Sequence, residues 1–135
     1  MHRGNESTEH QDMKRVIGKL LVLLGWLVVF EEKLCDVVAW RICANGRVRI
    51  LGIEAERSSR NAIRNVTKDF SRRCDALLIV AVDEKMRRQI RRLLKRRLPR
   101  SVWTRVGIIT YATCSALLAR EAPAPPTVMA SLLKD

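Results

Sequence analysis

Glu54 and Glu56 close an otherwise apolar run, Ile50-Leu-Gly-Ile-Glu-Ala-Glu56. Strand alternation puts both carboxylates on the same face. Like charges in such surroundings repel unless water, a base or a metal offsets them. The register of the preceding hairpin, signalled by Asn45-Gly46, decides whether Asp36 joins them. A two-residue loop sets Ala44 against Arg47 and Asp36 against Ala55, on the wrong face. A three-residue loop, Ala44-Asn45-Gly46 with Gly46 left-handed, instead sets Cys43 against Arg47 and Asp36 against Glu54. We favour the second register because it also pairs Val37 with Ile53 and Trp40 with Ile50. Opposed β-carbons lie about 4.5–5.5 Å apart, close enough for Asp36 and Glu54 to share one divalent cation. Oxygen-only ligation suits Mg²⁺ or Mn²⁺.

The elements that must position these groups follow from periodicity. Glu9 to Leu24 reads as a helix, with Thr8 to cap it, Met13, Val16, Ile17, Leu20, Leu21 and Leu24 on its apolar face, and Gly25 to end it. Strands are predicted at 26–31, 36–43 and 47–56. A helix opened by Ser58 or Ser59 then buries Ala62, Ile63, Val66 and Phe70. Ala76 to Val82 is apolar enough to be a strand covered on both faces. Glu84 to Leu98 is helical, stopped by Pro99, and a strand near 105–111 and a short helix over 113–120 follow. The implied fold class is α/β, a mixed sheet flanked by helices in the order αβββαβαβ. One domain over 9–120 is expected, between a polar tail at 1–8 and a Pro-rich linker and tail at 121–135.

Charge points to the partner. The 135 residues include 26 Lys and Arg against 14 Asp and Glu, a net charge of +12, which favours an anion. Between Lys85 and Arg100 the bases Lys85, Arg87, Arg88, Arg91, Arg92, Lys95, Arg96, Arg97 and Arg100 occur with no acid among them, a stripe suited to a phosphate backbone. Arg57, Arg60, Arg64, Arg72 and Arg73 extend it. Aromatics make up 4% of the chain, too few for stacking on single-stranded bases, so backbone contact with duplex or branched DNA fits better. The apolar run Val16 to Phe30 is shorter than a bilayer span, and no membrane partner is expected. Residues 1–12 are too polar for a signal peptide. The four cysteines form no C-x-x-C pair and both histidines lie in the first ten residues, which argues against zinc and for reduced thiols in a cytoplasm, nucleoid-associated if bacterial or archaeal. Trp26 and Trp40 read as core or half-core residues, Trp103 as core or interface, and His10 as a surface histidine or one at the edge of the site.

Asp36 followed by Glu54-x-Glu56, within helix, three strands, helix and strand, resembles the PD-(D/E)xK nuclease superfamily of restriction endonucleases and archaeal Holliday-junction resolvases. The resemblance runs from about Glu9 to Tyr111. It implies a restriction-endonuclease-like fold, with Mg²⁺ or Mn²⁺ held by Asp36 and Glu54 and aided by a first-helix glutamate, Glu9 before Glu6. Cys35 replaces the family's usual proline. Glu56 replaces its usual lysine, so either Lys68, beside Asn61 and Asn65 in the next helix, has taken over that role or Glu56 itself binds metal or holds the attacking water. The implied activity is metal-assisted hydrolysis of DNA phosphodiesters, with Arg57, Arg60, Arg64, Arg87, Arg88, Arg91, Arg92, Lys95 and Arg96 on the DNA. By the same analogy the protein is a homodimer, with an interface at Trp103, the last strand or the residues after Pro126. Two other readings compete: a DNA-binding module that has lost catalysis, and a basic subunit that docks an acidic protein.

Overall fold

The computed structural model describes residues 8–30, 36–71 and 74–119. The polar tail, Glu6, Cys35, Arg72, Arg73 and the Pro-rich C-terminal segment lie outside them. The elements are α1 (Thr8–Leu23), β1 (Leu27–Phe30), β2 (Val37–Ile42), β3 (Val48–Glu56), α2 (Ala62–Ser71), β4 (Ala76–Ala81), α3 (Glu84–Arg97), α4 (Arg100–Trp103), β5 (Val106–Thr110) and α5 (Tyr111–Leu118). They form an α/β fold around a five-stranded mixed sheet of order β1-β2-β3-β4-β5. β1, β2 and β3 run antiparallel, and β3, β4 and β5 parallel.

The hairpin takes the three-residue loop. Val37 pairs with Ile53, Trp40 with Ile50 and Ile42 with Val48. The Cys43 N–H donates to Arg47 O at 2.7 Å and the Gly46 N–H to Cys43 O at 2.9 Å. Gly46 has φ 84°, the left-handed conformation that glycine adopts without penalty. Continued one residue beyond its last pair, this register sets Asp36 opposite Glu54.

Each sheet face has its own core. α1 and α5 cover one with Met13, Ile17, Leu21 and Cys114 over Val37, Leu51, Ile53, Leu78 and Val80. α2 and α3 cover the other with Ala62, Val66, Ile90 and Leu94 over Leu77, Ile79 and Ala81. β4 is buried along its whole length, as a strand with helices above and below must be. α1 stops at Gly25, φ 91°, where the Trp26 N–H returns to Leu21 O. Trp26 is buried, and the Arg41 guanidinium lies 5.7 Å from the centre of its ring.

Some boundaries differ from the sequence reading. Thr8 lies inside α1 instead of before it. α2 opens at Ala62, whose N–H donates to the Ser59 carbonyl. α4, a single turn built on Pro99 O, was not foreseen. The last helix begins two residues early because the Thr110 hydroxyl accepts from the Thr113 N–H at 3.1 Å and caps it.

The antiparallel half of the sheet is covered on one face only. The register puts Leu27, Val29, Trp40, Ile42 and Val48 together on the α2/α3 side, beyond the reach of either helix, and all five are exposed. Among the described residues, no helix is long and apolar enough to cross a membrane.

Candidate active site

The carboxylates gather at the carboxyl ends of β3 and β4, where open α/β sheets usually place their ligands. Glu54 and Glu56 alternate onto the face covered by α2, as the strand period requires. Both are buried: 4% of Glu54 and 7% of Glu56 remain exposed. α2 lies over them and meets each with a polar side chain. Asn65 Nδ2 donates to Glu56 Oε2 at 2.6 Å. One turn on, Lys68 Nζ lies 3.6 Å from Glu54 Oε2. Asn65 and Lys68 thus share the helix face that their spacing implied.

Asp36 reaches the cluster from the start of β2. Its Oδ2 accepts the Ala55 N–H at 2.7 Å and lies 3.2 Å from His10 Nε2. His10 Nε2 is also 3.1 Å from Ala55 O. The α1 residue holding Asp36 is therefore His10, while its neighbour Glu9 sits at the surface, 3.0 Å from the Arg57 guanidinium.

α2 brings a further acid to the site that the sequence reading passed over. Asp69 is 1% exposed, and its Oδ1 lies 3.7 Å from Lys68 Nζ. Positions 62, 66 and 69 follow the helical period, so Asp69 occupies the same buried stripe as Ala62 and Val66. An acid in an apolar helix stripe was the available signal.

The electrostatics of the four acids diverge. Burial raises the Glu54 carboxyl most, the adjoining Asp69 and the charge on Asp36 add to this, and its pKa is pushed up to about 11. Burial also raises Asp69, against the pull of Glu54 and Lys68. Glu56 is raised by burial, opposed by the Asn65 hydrogen bond. Asp36 is the exception: burial works to raise it, but hydrogen bonds from His10 and the Ala55 N–H, with the charges of His10 and Lys14, hold it below the ordinary aspartate value. One acid is thus kept ionised beside another kept protonated, an arrangement more often found at functional sites than in structural cores.

The donor chemistry suits a hard divalent cation. Glu54 Oε2 and both carboxylate oxygens of Asp69 are buried with no N–H or hydroxyl donor, only the hydrogen bond between the two carboxyls, and such groups normally find more. Among the described residues, no three or more His, Cys, Asp or Glu side chains are gathered closely enough to hold a metal ion. Asp36, Glu54 and Glu56 are neighbours that do not converge on one point. The fit is therefore to an ion held by one or two carboxylates, with water and substrate phosphate completing its shell, as Mg²⁺ commonly is.

The bases lie to one side. A surface cavity of about 360 Å³ lined by Ser59, Gln89, Arg92, Leu93 and Arg96 joins the loop after β3 to the middle of α3. Arg60 and Arg64 are exposed on the same stretch of chain, as are Arg91, Arg92, Lys95 and Arg96 on α3. Arg87 and Arg88 are different, because Glu84, just ahead of the acid-free stretch, binds both at 2.6 Å and 3.2 Å. Their hydrogen bonds hold the Glu84 pKa down to about 2. Lys95 and Arg100 lie over the Trp103 ring, 5.1 and 6.0 Å from its centre, and that ring is only half-buried.

No protein-family model fits the chain, and no curated protein is significantly similar to it in sequence.

Proposed function

We propose that this protein is a divalent-metal-dependent DNA endonuclease that acts as a homodimer on duplex or branched DNA. The observation that carries the reading is the group of buried acids at the end of β3, some of their oxygens unpartnered, beside an arginine-rich helix. Asp36 and Glu54 hold Mg²⁺ or Mn²⁺ in this reading. Held there, the ion would supply Lewis-acid chemistry, lowering the pKa of a water and offsetting charge on the phosphate.

The chain's own groups do the rest. His10 and the Ala55 N–H fix the Asp36 carboxylate in its ionised form. The one-third exposed Lys68 sits at the mouth of the site, where its ammonium neutralises charge building on the phosphate. The PD-(D/E)xK pattern has its lysine at the position of Glu56, where it orients and activates the attacking water, and Lys68 stands near enough to Glu54 to take that part too. Arg92 and Arg96 meet the DNA backbone next to the loop that follows β3.

A second reading, a DNA-binding module without catalysis, draws support from Glu56, tied to Asn65 at 2.6 Å where the family's lysine usually stands. One experiment separates the two: cleavage of linear, supercoiled and four-way-junction DNA with Mg²⁺, Mn²⁺ or EDTA, comparing wild type with Glu54→Ala. Metal-dependent cutting that disappears in the variant supports the nuclease. Salt-sensitive binding without cutting in any metal supports the silent module.

A further inference from the structure

Asp69 is the least explained group in the molecule. It is an aspartate 1% exposed whose carboxylate oxygens meet no N–H or hydroxyl donor and share only the proton of the Glu54 carboxyl, and a pair of buried acids left so costs stability unless something absent from the free chain binds it. Glu54 beside it has an orphan of its own in Oε2. Among the described residues, the cation set against both is the Lys68 ammonium, 3.6 Å from Glu54 Oε2 and 3.7 Å from Asp69 Oδ1. Those distances make Lys68 a nearby charge for both carboxylates and at best a long, weak hydrogen-bond donor to Asp69. Lys68 is itself one-third exposed, so it can leave without opening the core.

Asp36, the other ligand in that reading, is committed through one of its oxygens. Its Oδ2 already serves the Ala55 N–H and His10, whereas Glu54 and Asp69 together present three oxygens served by nothing but the proton between the two carboxyls, which a bound cation would release. Two hard oxygen donors from adjoining elements, one on β3 and one on α2, are what an Mg²⁺ or Mn²⁺ ion otherwise surrounded by water and phosphate asks of a protein.

We propose that Asp69 is a ligand of the divalent cation, paired with Glu54, and that the ion takes the place now held by the Lys68 ammonium. This deepens the metal-dependent reading of the site and rests on it. Lys68, once displaced, is the cationic group nearest the substrate phosphate, so a single residue serves as counter-ion in the empty state and as phosphate contact in the loaded one.

The test is Mn²⁺ binding to the full chain stripped with EDTA, measured by calorimetry in the absence of DNA. Wild type is expected to bind one ion. Asp69→Asn and Glu54→Gln are each expected to weaken that binding ~10-fold or more, while Lys68→Met binds at least as tightly as wild type because the competing ammonium is gone. Asp69→Asn binding like wild type, or Lys68→Met losing the ion, overturns the proposal. Paramagnetic broadening needs no variant: Mn²⁺ is expected to broaden the amide signals of Glu54, Lys68 and Asp69 at the lowest ion ratios, and broadening that starts at other acids refutes the assignment. DNA cleavage is read separately. Mn²⁺ bound at Glu54 and Asp69 without any cutting removes the nuclease and leaves this site standing. Metal-dependent cutting by a protein whose Asp69→Asn variant binds Mn²⁺ normally does the reverse.

Discussion

Glu54 and Asp69 are held in place at the expense of stability, and the sign of that effect can be worked out. The Glu54 carboxyl titrates at 4.5 in an unfolded chain and at about 11 in the folded one. Below 4.5 both states hold the proton. Above it the unfolded chain releases a proton that the folded chain keeps, so stability falls as pH rises through neutrality toward about 11. Asp36 acts in the opposite sense. Its folded value lies below 3.8, so the stability it contributes is present above that value and is lost as pH falls through the folded one. Without metal, urea unfolding is therefore expected to show greatest stability between about pH 4 and 5, with decline on both sides. Glu54→Gln should flatten the alkaline decline and add about 1–3 kcal/mol at pH 8. A variant no more stable than wild type at pH 8 would contradict the buried-acid account. Mg²⁺ added to wild type at that pH should restore stability in proportion to its occupancy. Asp36, Glu54, Glu56 and Lys68 were legible as a set because strand alternation, hairpin register and helical spacing each act over a few residues. Asp69 was not read, because the apolar stripe of α2 was traced through Ala62, Ile63, Val66 and Phe70 and a single acid on the same stripe was stepped over. His10 as the holder of Asp36 depends on how α1 packs across the sheet, which no local pattern encodes.

At the scale of elements, the hairpin after β2 governs the site from a distance, since its loop length fixes which residue opposes Glu54. Gly46 carries that loop at φ 84°, with nothing within 4 Å of where a β-carbon would sit. Gly46→Ala should therefore cost about 1–2 kcal/mol through backbone strain alone, and Gly46→Asn less. Equal stability of the alanine variant and wild type in urea would mean that the loop does not hold this conformation. The bases of α3 differ among themselves for a similar local reason. Glu84 occupies Arg87 and Arg88, whereas Arg92 and Arg96 line the cavity next to the loop after β3. Removing Arg92 or Arg96 should each lower the salt slope of DNA affinity by about 1, and removing Arg88 by clearly less. Equal slopes for all three variants would refute the placement of DNA along this side. The element order and the β2–β3 register could be read because apolar periods and the Asn45-Gly46 turn declare themselves locally. α4 could not, because one turn after Pro99 leaves no period to detect, and the role of Glu84 was missed because it stands one residue before the basic run begins.

Over the whole molecule, the proposed homodimer needs a surface, and the sequence offered Trp103, the last strand or the residues after Pro126. The structure puts a different surface forward. Trp103 is half-buried with Lys95 and Arg100 over its ring, and β5 is buried at its centre. Five exposed apolar side chains share the helix-free face of β1, β2 and the start of β3, with Leu27 66%, Ile42 71% and Val48 53% exposed, while Val22, Leu23, Leu24 and Phe30 are exposed elsewhere. They border a hollow of about 580 Å³ that also includes Trp40, Gly25 and Arg41, whose guanidinium lies over the Trp26 ring. None of the five side chains on this face is charged, in a molecule of net charge +12, so two copies can meet here with the basic helix α3 outside the contact. Sheets pack face to face at about 10 Å with strands nearly aligned, and a two-fold axis through such a face makes the contact self-complementary. The same face of β3 leads on to Glu54 and Glu56, so that axis also fixes the spacing between two acidic sites, which a nuclease cutting both strands requires. Ile42→Asp should leave the monomer folded, because the side chain is already mostly in water, yet weaken dimerisation ~10-fold or more through an unpaired charge in the contact. Sedimentation of wild type and variant at tens of micromolar checks this, and a wild type that sediments as a monomer rules the interface out. If the dimer is what cuts both strands, the variant should nick supercoiled DNA where wild type linearises it. Loss of both activities together would show instead that this face positions the substrate.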